Sequence, residues 1–193
     1  MRILGMMGSP RIGGNSDLLL DAVLQAAAEE GADCQKVVLN RMEIKPCQHC
    51  DGCTRTKGRC VVEDEMQSLY DPLRAADRIV LAAPVFFMSL PAQAKAMIDR
   101  CQPFWVVKYL VGQPTAQSEH ERRGLYLGVG GCDFRTLFDS ARLILRAWFT
   151  ILDVPQWDVL TYHPVERRGQ IKQHPTALAE AAEAGGRLAG STC

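Results

Sequence analysis

Short apolar runs alternating with helical patterns limit this chain more than any other feature of its sequence. Residues 2–7 form an apolar run closed by Gly8-Ser9-Pro10, which reads as a buried strand ending in a turn. Residues 16–30 follow as a helix, with Leu19, Leu20, Val23, Leu24 and Ala27 on one face and Gly31 as its stop. Further strands are expected at 36–39, 78–83, 125–129 and 159–162. Helical patterns separate them: Asp64 as the cap of a helix with Met66, Leu69, Tyr70 and Leu73, then one opening at Pro91 with Ala94, Met97, Ile98 and Cys101 facing inward. Pro72 is expected to kink or restart the first of these. Thr136 is expected to cap a third, and residues 176–189 form an alanine-rich last helix. Residues 40–60 carry no helical or alternating pattern, and 112–123 are polar and loop-like.

Strands that are apolar along their whole length need cover on both faces, and parallel sheets provide it. The expected class is therefore α/β. It is a flavodoxin-like, doubly wound, five-stranded parallel sheet of order 2-1-3-4-5 with helices on both faces. One domain is expected over 1–193, with a cysteine-rich loop at 44–62. Composition agrees: 47% of the 193 residues are hydrophobic and 23% charged, so disorder and coiled coil are excluded. Lys+Arg and Asp+Glu are both 22, which lacks the basic footprint of a nucleic-acid binder. No apolar run approaches the roughly 18 residues of a membrane span. The first residues are too short an apolar stretch for a signal peptide, so the expected location is cytoplasmic.

Ligands of such sheets bind beyond the carboxyl ends of the strands, which singles out loops 8–16, 84–90 and 130–136. The first offers Ser9, Arg11, Gly14, Asn15 and Ser16 directly before a helix, where free N–H groups and a partial positive charge favour an anion. Gly14 stands where a nucleotide-triphosphate loop needs lysine, and no Gly-x-Gly-x-x-Gly is present, so one terminal phosphate fits best. The second loop, Pro84, Val85, Phe86, Phe87, Met88 and Ser89, combines a rigid turn with apolar side chains suited to a flat ring. In the third, Gly130 and Gly131 permit close backbone approach, and Cys132 beside them reads as a small packing residue.

Eight cysteines are many for a chain of this size, and Cys47, Cys50, Cys53 and Cys60 fall within fourteen residues. In a reducing compartment this points to metal or catalysis before disulfides. Thiolates suit iron–sulfur clusters and zinc. Two successive two-residue spacers are closer to a ferredoxin run than to a zinc site, although zinc-bound or structural thiols remain open. His49 reads as a solvated loop residue. Cys34 and Cys101 read as core thiols and Cys193 as part of the tail. His120, His163 and His174 form no triad. Phe104-Trp105-Val106-Val107 reads equally as core or as interface.

Gly8-Ser9-Pro10-Arg11, Gly14-Asn15-Ser16, Ala83 to Ser89 and Lys95 with Ile98-Asp99-Arg100 together resemble the NAD(P)H-dependent FMN reductase superfamily. Adding the compact cysteine loop between the second strand and its helix makes the chain most similar to the iron–sulfur flavoproteins of that superfamily. The resemblance implies FMN, with Ser9, Arg11, Asn15 and Ser16 at the phosphate and Pro84 to Ser89 along the isoalloxazine. It also implies one 4Fe–4S cluster on Cys47, Cys50, Cys53 and Cys60. Lys95, Asp99 and Arg100 are then structural or interfacial, and no catalytic side chain is assigned. The implied partners are an NAD(P)H or ferredoxin-like donor, a small-molecule electron acceptor, and further copies of the chain in a homodimer or homotetramer. A cluster-free FMN- or quinone-type reductase and a non-enzymatic flavin-binding redox sensor are the competing expectations. No carboxylate pair or nucleophile–base pair supports hydrolysis or acyl transfer.

Overall fold

A computed structural model describes residues 1–190. Its strands are β1 (Arg2–Met7), β2 (Asp33–Val38), β3 (Arg78–Pro84), β4 (Arg123–Val129) and β5 (Gln156–Tyr162). They form one sheet of order β2-β1-β3-β4-β5, and every pair is parallel. The helices are α1 (Asn15–Glu29), α2 (Gly52–Arg55), α3 (Gln67–Ala75), α4 (Ala92–Asp99), α5 (Gln102–Trp105), α6 (Asp139–Ile151) and α7 (Ala177–Ala189). This is the expected flavodoxin-like arrangement.

Alternation along the central strands builds a core on each side. Ile3 and Met7, Val80 and Ala82, and Leu125 and Leu127 pack with α1 and α7. Leu4 and Met6, Ile79 and Leu81, and Tyr126 pack with α3, α4 and α6. The edge strands are longer than their apolar runs predict. β2 starts at Asp33 and β5 at Gln156, because pairing with β1 and β4 recruits polar residues into strands that are only half-covered. β2 also ends at Val38, and Leu39 turns into a 3₁₀ turn at Leu39–Arg41.

Three local expectations need correction. Pro72 lies inside α3, which runs through it to Ala75 rather than restarting there. Its missing N–H leaves the carbonyl of Ser68 free, and Ser68 is exposed, so water can satisfy that group. Thr136 does not cap α6 with its side chain; its carbonyl accepts from the Asp139 N–H, and the helix starts at Asp139. The cysteine region is not wholly irregular, because α2 forms one turn there. The segment 104–107 divides: Phe104 and Val106 are buried, while Trp105 is exposed and leads into a π-helical turn at Val106–Val111.

Three carboxylates tie loops to this frame. Burial raises the pKa of each, but hydrogen bonding outweighs it and holds all three below the usual range. Asp64 is held by Arg100 and the Lys45 N–H, Asp77 by Ser118 and the Arg2 N–H, and Asp153 by Lys108 and Thr115. A carboxylate with a lowered folded pKa stabilises the fold above its unfolded pKa of about 3.9 and loses that contribution as pH falls through the folded value. The melting temperature is therefore expected to hold from neutral pH down to about pH 5 and to drop below about pH 4. Calorimetry across that range checks this; an unchanged transition at pH 3 would contradict it. No helix among the described residues is long and apolar enough to cross a membrane.

Candidate functional site

The first candidate site lies at the carboxyl edge of the sheet, where α1 and the loop after β3 diverge. A cavity of about 370 Å³ is lined there by Ser9, Arg11, Gly14, Asn15, Ser16, Pro84, Val85 and Phe86, together with Gly131 and Cys132. Its polar end is the start of α1. Gly14 precedes that helix, no side chain caps it, and the N–H groups of Asn15, Ser16 and Asp17 have no acceptor among the described residues. Such N–H groups are suited to an anion. Gly13 adopts φ +70°, a left-handed conformation that lets the loop turn into the helix. The Asp17 carboxylate sits close by, accepting from the Gly13 N–H at 2.6 Å. Lys36 pairs with it at 2.6 Å and with Asp21 at 2.5 Å, which offsets part of the negative charge beside the helix start.

Asn15 is placed differently from a free phosphate donor. Its Nδ2 donates to the Arg167 carbonyl at 2.9 Å, and its Oδ1 accepts from the Ile171 N–H at 3.1 Å. The side chain thus pins the loop that follows β5 over the start of α1. That loop brings Val165, Glu166 and Arg168 to the cavity wall, three residues that local sequence patterns did not single out. Arg168 donates to the Ile12 carbonyl at 2.6 Å and stands over Gly13. Two guanidinium groups, Arg11 and Arg168, therefore flank the free helix end. The available signal was Arg167-Arg168 in the loop after the last strand, at the same sheet edge.

The apolar end is formed by Pro84, Val85, Phe86, Val129 and Val165. Beyond it the chain makes a tight turn. Phe86 and Ser89 exchange both backbone hydrogen bonds, at 2.8 and 3.0 Å. The two central residues, Phe87 and Met88, have φ of +47° and +63°. Positive φ at both positions is normally a task for Gly or Asn, so this turn carries strain. It leaves the Phe87 side chain wholly exposed at the rim. The Ser89 hydroxyl meets that of Ser140 at 3.3 Å, tying the turn to α6. Gly130 is buried beneath Leu137, with its N–H and carbonyl bonded to Tyr162 and Val165; Gly131, one residue on, reaches the wall. Cys132 is exposed on that wall rather than packed, a correction to its expected role. The loop leaves the sheet there, so no second layer covers it.

The free N–H groups, the hydroxyls of Ser9 and Ser16, two guanidinium groups and an adjoining apolar wall fit a phosphate joined to a flat ring. FMN has that form.

The second candidate site holds the thiols. Cys47, Cys50, Cys53 and Cys60 all line one cavity of about 310 Å³, closed on the other side by Arg100, Gln102 and Pro103. Cys47 and Cys50 are exposed, and Cys53 and Cys60 half-buried. Burial pushes the Cys53 thiol up, and the neighbouring Cys60 and Cys47 add to it. Gly58, at φ +112°, lets the loop close against Val107, where a Cβ would come within 2.3 Å. No three His, Cys, Asp or Glu side chains among the described residues stand close enough to share one metal ion. A multinuclear core holds its thiolates farther apart than one ion does. The all-sulfur donor set around a common cavity fits such a core. His49 lies at the rim with φ +49° and is exposed. Cys101 is fully buried, accepting from Trp148 Nε1 at 3.3 Å, and burial pushes its thiol up to about 12. Cys193 lies outside the described residues.

A family profile described as NADPH-dependent FMN reductase matches residues 1–154. The chain belongs to that family. An iron-sulfur flavoprotein of Methanosarcina thermophila is 42% identical over 100 residues, 52% of this chain and 52% of that protein. One from Archaeoglobus fulgidus is 36% identical over 104 residues, 54% of this chain and 47% of that protein. The chain thus spans about half the length of the curated relatives it matches. Among solved structures, an NAD(P)H:quinone oxidoreductase from Methanothermobacter marburgensis superposes with a TM-score of 0.77 at 17% identity, covering 100% of this chain and 98% of that one. An FMN-dependent NADH-azoreductase from Bacillus anthracis, in complex with FMN, gives 0.68 at 14% identity, covering 98% and 100%. At such identities the likeness carries the fold. The family match stops before the loop that supplies Arg168.

Proposed function

We propose that this chain is an FMN-containing iron–sulfur flavoprotein, an oxidoreductase that passes electrons from an NAD(P)H or ferredoxin-like donor to a small-molecule acceptor. The observation that carries this reading is the coexistence, in one flavodoxin-like frame, of a phosphate cradle with free N–H groups and a cavity lined by four thiols. When bound, FMN supplies hydride and single-electron chemistry, and a 4Fe–4S cluster supplies one-electron storage.

The chain's own residues do the binding and orienting. Asn15, Ser16 and Asp17 offer their N–H groups to the flavin phosphate, Ser9 and Ser16 their hydroxyls, and Arg11 and Arg168 their charge. Gly14 lets the backbone come close. Pro84, Val85 and Phe86 shield one side of the ring from water. Phe87, Met88 and Ser89 hold the strained turn at its rim, and Gly130 and Gly131 shape the opposite wall. Cys47, Cys50, Cys53 and Cys60 would hold the cluster. The exposed Phe87 and the exposed Trp105, Tyr109 and Leu110 leave apolar surface suited to a second copy of the chain. A homodimer or homotetramer in the cytoplasm is the assembly this reading takes.

Anaerobic purification with iron, acid-labile sulfide and FMN counted per chain tests the proposal. The expected result is about one FMN with about four iron and four sulfide, the content of one 4Fe–4S cluster. A second reading, a cluster-free NAD(P)H-dependent FMN or quinone reductase, is favoured by the family match itself. FMN without iron or sulfide, with turnover on NADH or NADPH, would select it.

A further inference from the structure

Arg100 is a buried cation on the wall of the thiol cavity, with its side chain 1% exposed. Its Nη1 donates to the Lys45 carbonyl at 2.9 Å and to Asp64 Oδ2 at 2.5 Å. Its Nη2 donates to the Val62 carbonyl and to Asp64 Oδ1, both at 3.1 Å. Lys45 lies two residues before Cys47, and Val62 two residues after Cys60. One guanidinium therefore grips both ends of the loop that carries all four thiols. Asp64 completes the clasp by accepting from the Lys45 N–H at 2.9 Å and the Met66 N–H at 3.0 Å.

The remaining donor, Nε–H, is buried and has no acceptor. Buried donors are nearly always paired, so an orphan on a cavity wall points to a group that belongs there. Cys60 is the thiol in question: it lines the same cavity as Arg100 and lies two residues before Val62, whose carbonyl Arg100 holds. A fixed positive charge and an N–H beside cluster sulfur both favour the state that has gained an electron.

Resting on the cluster reading above, we propose that Arg100, clasped by Asp64, is a positioning residue that sets the spacing of the cysteine loop and makes reduction at the thiol cavity easier through its free Nε–H and its charge. The step concerned is the arrival of one electron from the donor. No bond in the protein forms or breaks, and Arg100 stays protonated throughout.

The test uses the full chain with FMN, reconstituted anaerobically with ferrous iron and sulfide, as wild type, Arg100→Gln and Asp64→Asn. Iron and sulfide are counted first, and the midpoint potential is then read by dithionite titration followed by electron paramagnetic resonance. Arg100→Gln is expected to make reduction about tenfold less favourable, a potential about 59 mV lower for one electron. Asp64→Asn removes the charge that offsets Arg100 and is expected to move the potential upward. A merely structural clasp would not move the two variants in opposite directions. Unchanged potentials with full iron content, or shifts of the same sign, would overturn the proposal and leave the cluster reading standing. If Arg100→Gln holds no iron, the sign for Asp64→Asn decides: upward supports, unchanged or downward overturns. A wild-type chain that takes up no iron and sulfide would overturn the cluster reading and this proposal with it.

Discussion

Cys53→Ser is expected to abolish the iron and sulfide content of the protein while leaving FMN bound. Cys53 sits half-buried in the short helix α2, and its side chain faces the cavity that the other three thiols share. A serine hydroxyl stays protonated near neutral pH and is a hard oxygen donor, poorly matched to an iron–sulfide core. Losing only an outer partner of a metal ligand costs about 10- to 100-fold in metal affinity, so losing a ligand itself should cost more. The flavin cavity shares no lining residue with the thiol cavity, which is why FMN is expected to survive the change. Iron, sulfide and flavin assays on the same preparation check both halves. Full iron in the variant would remove Cys53 from the ligand set, and loss of FMN along with iron would mean the two sites depend on each other.

Arg168→Met is expected to weaken FMN binding by about 10- to 100-fold. Hydrogen bonds to charged groups contribute about 1.5–3 kcal/mol, and each 1.4 kcal/mol is a factor of ten in affinity. Arg168 stands over Gly13 beside the free end of α1, and its present partner, the Ile12 carbonyl, is one that a phosphate can replace. The loss should be specific to the phosphate. Titrating flavin-free protein with FMN and with riboflavin, and following flavin fluorescence, separates the two: riboflavin affinity should hardly change. An equal loss for both ligands would mean that Arg168 shapes the loop rather than meeting the phosphate.

Both sites could be read in advance only where their residues lie close together in the chain. The phosphate loop is local: Gly13, Gly14 and Ser16 act through backbone placed directly between β1 and α1, so a strand followed by glycines and a helix start already describes it. The cysteine loop is legible for the same reason, since its spacing lies within fourteen residues. Asn15 shows where such reading stops. Its residue type suits a phosphate, yet its side chain is used to hold a loop more than 150 positions away. Phe87 and Met88 are similar. Nothing in their side chains announces a turn with two positive φ values; the backbone bonds between Phe86 and Ser89 impose it.

What the sequence by itself determined is the sheet, its order and the loops that meet at its carboxyl edge. Apolar strands and amphipathic helices are encoded by neighbours a few positions apart, and right-handed crossovers leave few ways to arrange them. Only the tertiary structure decided that Arg168 meets the Ile12 carbonyl before α1, 156 positions earlier, and that Arg100 clasps Lys45 and Val62. Those contacts join segments that carry no mark of each other in the chain. Arg100 is buried, so four of its five N–H groups are paired, whereas Arg168 is exposed and is placed by the loop that Asn15 holds.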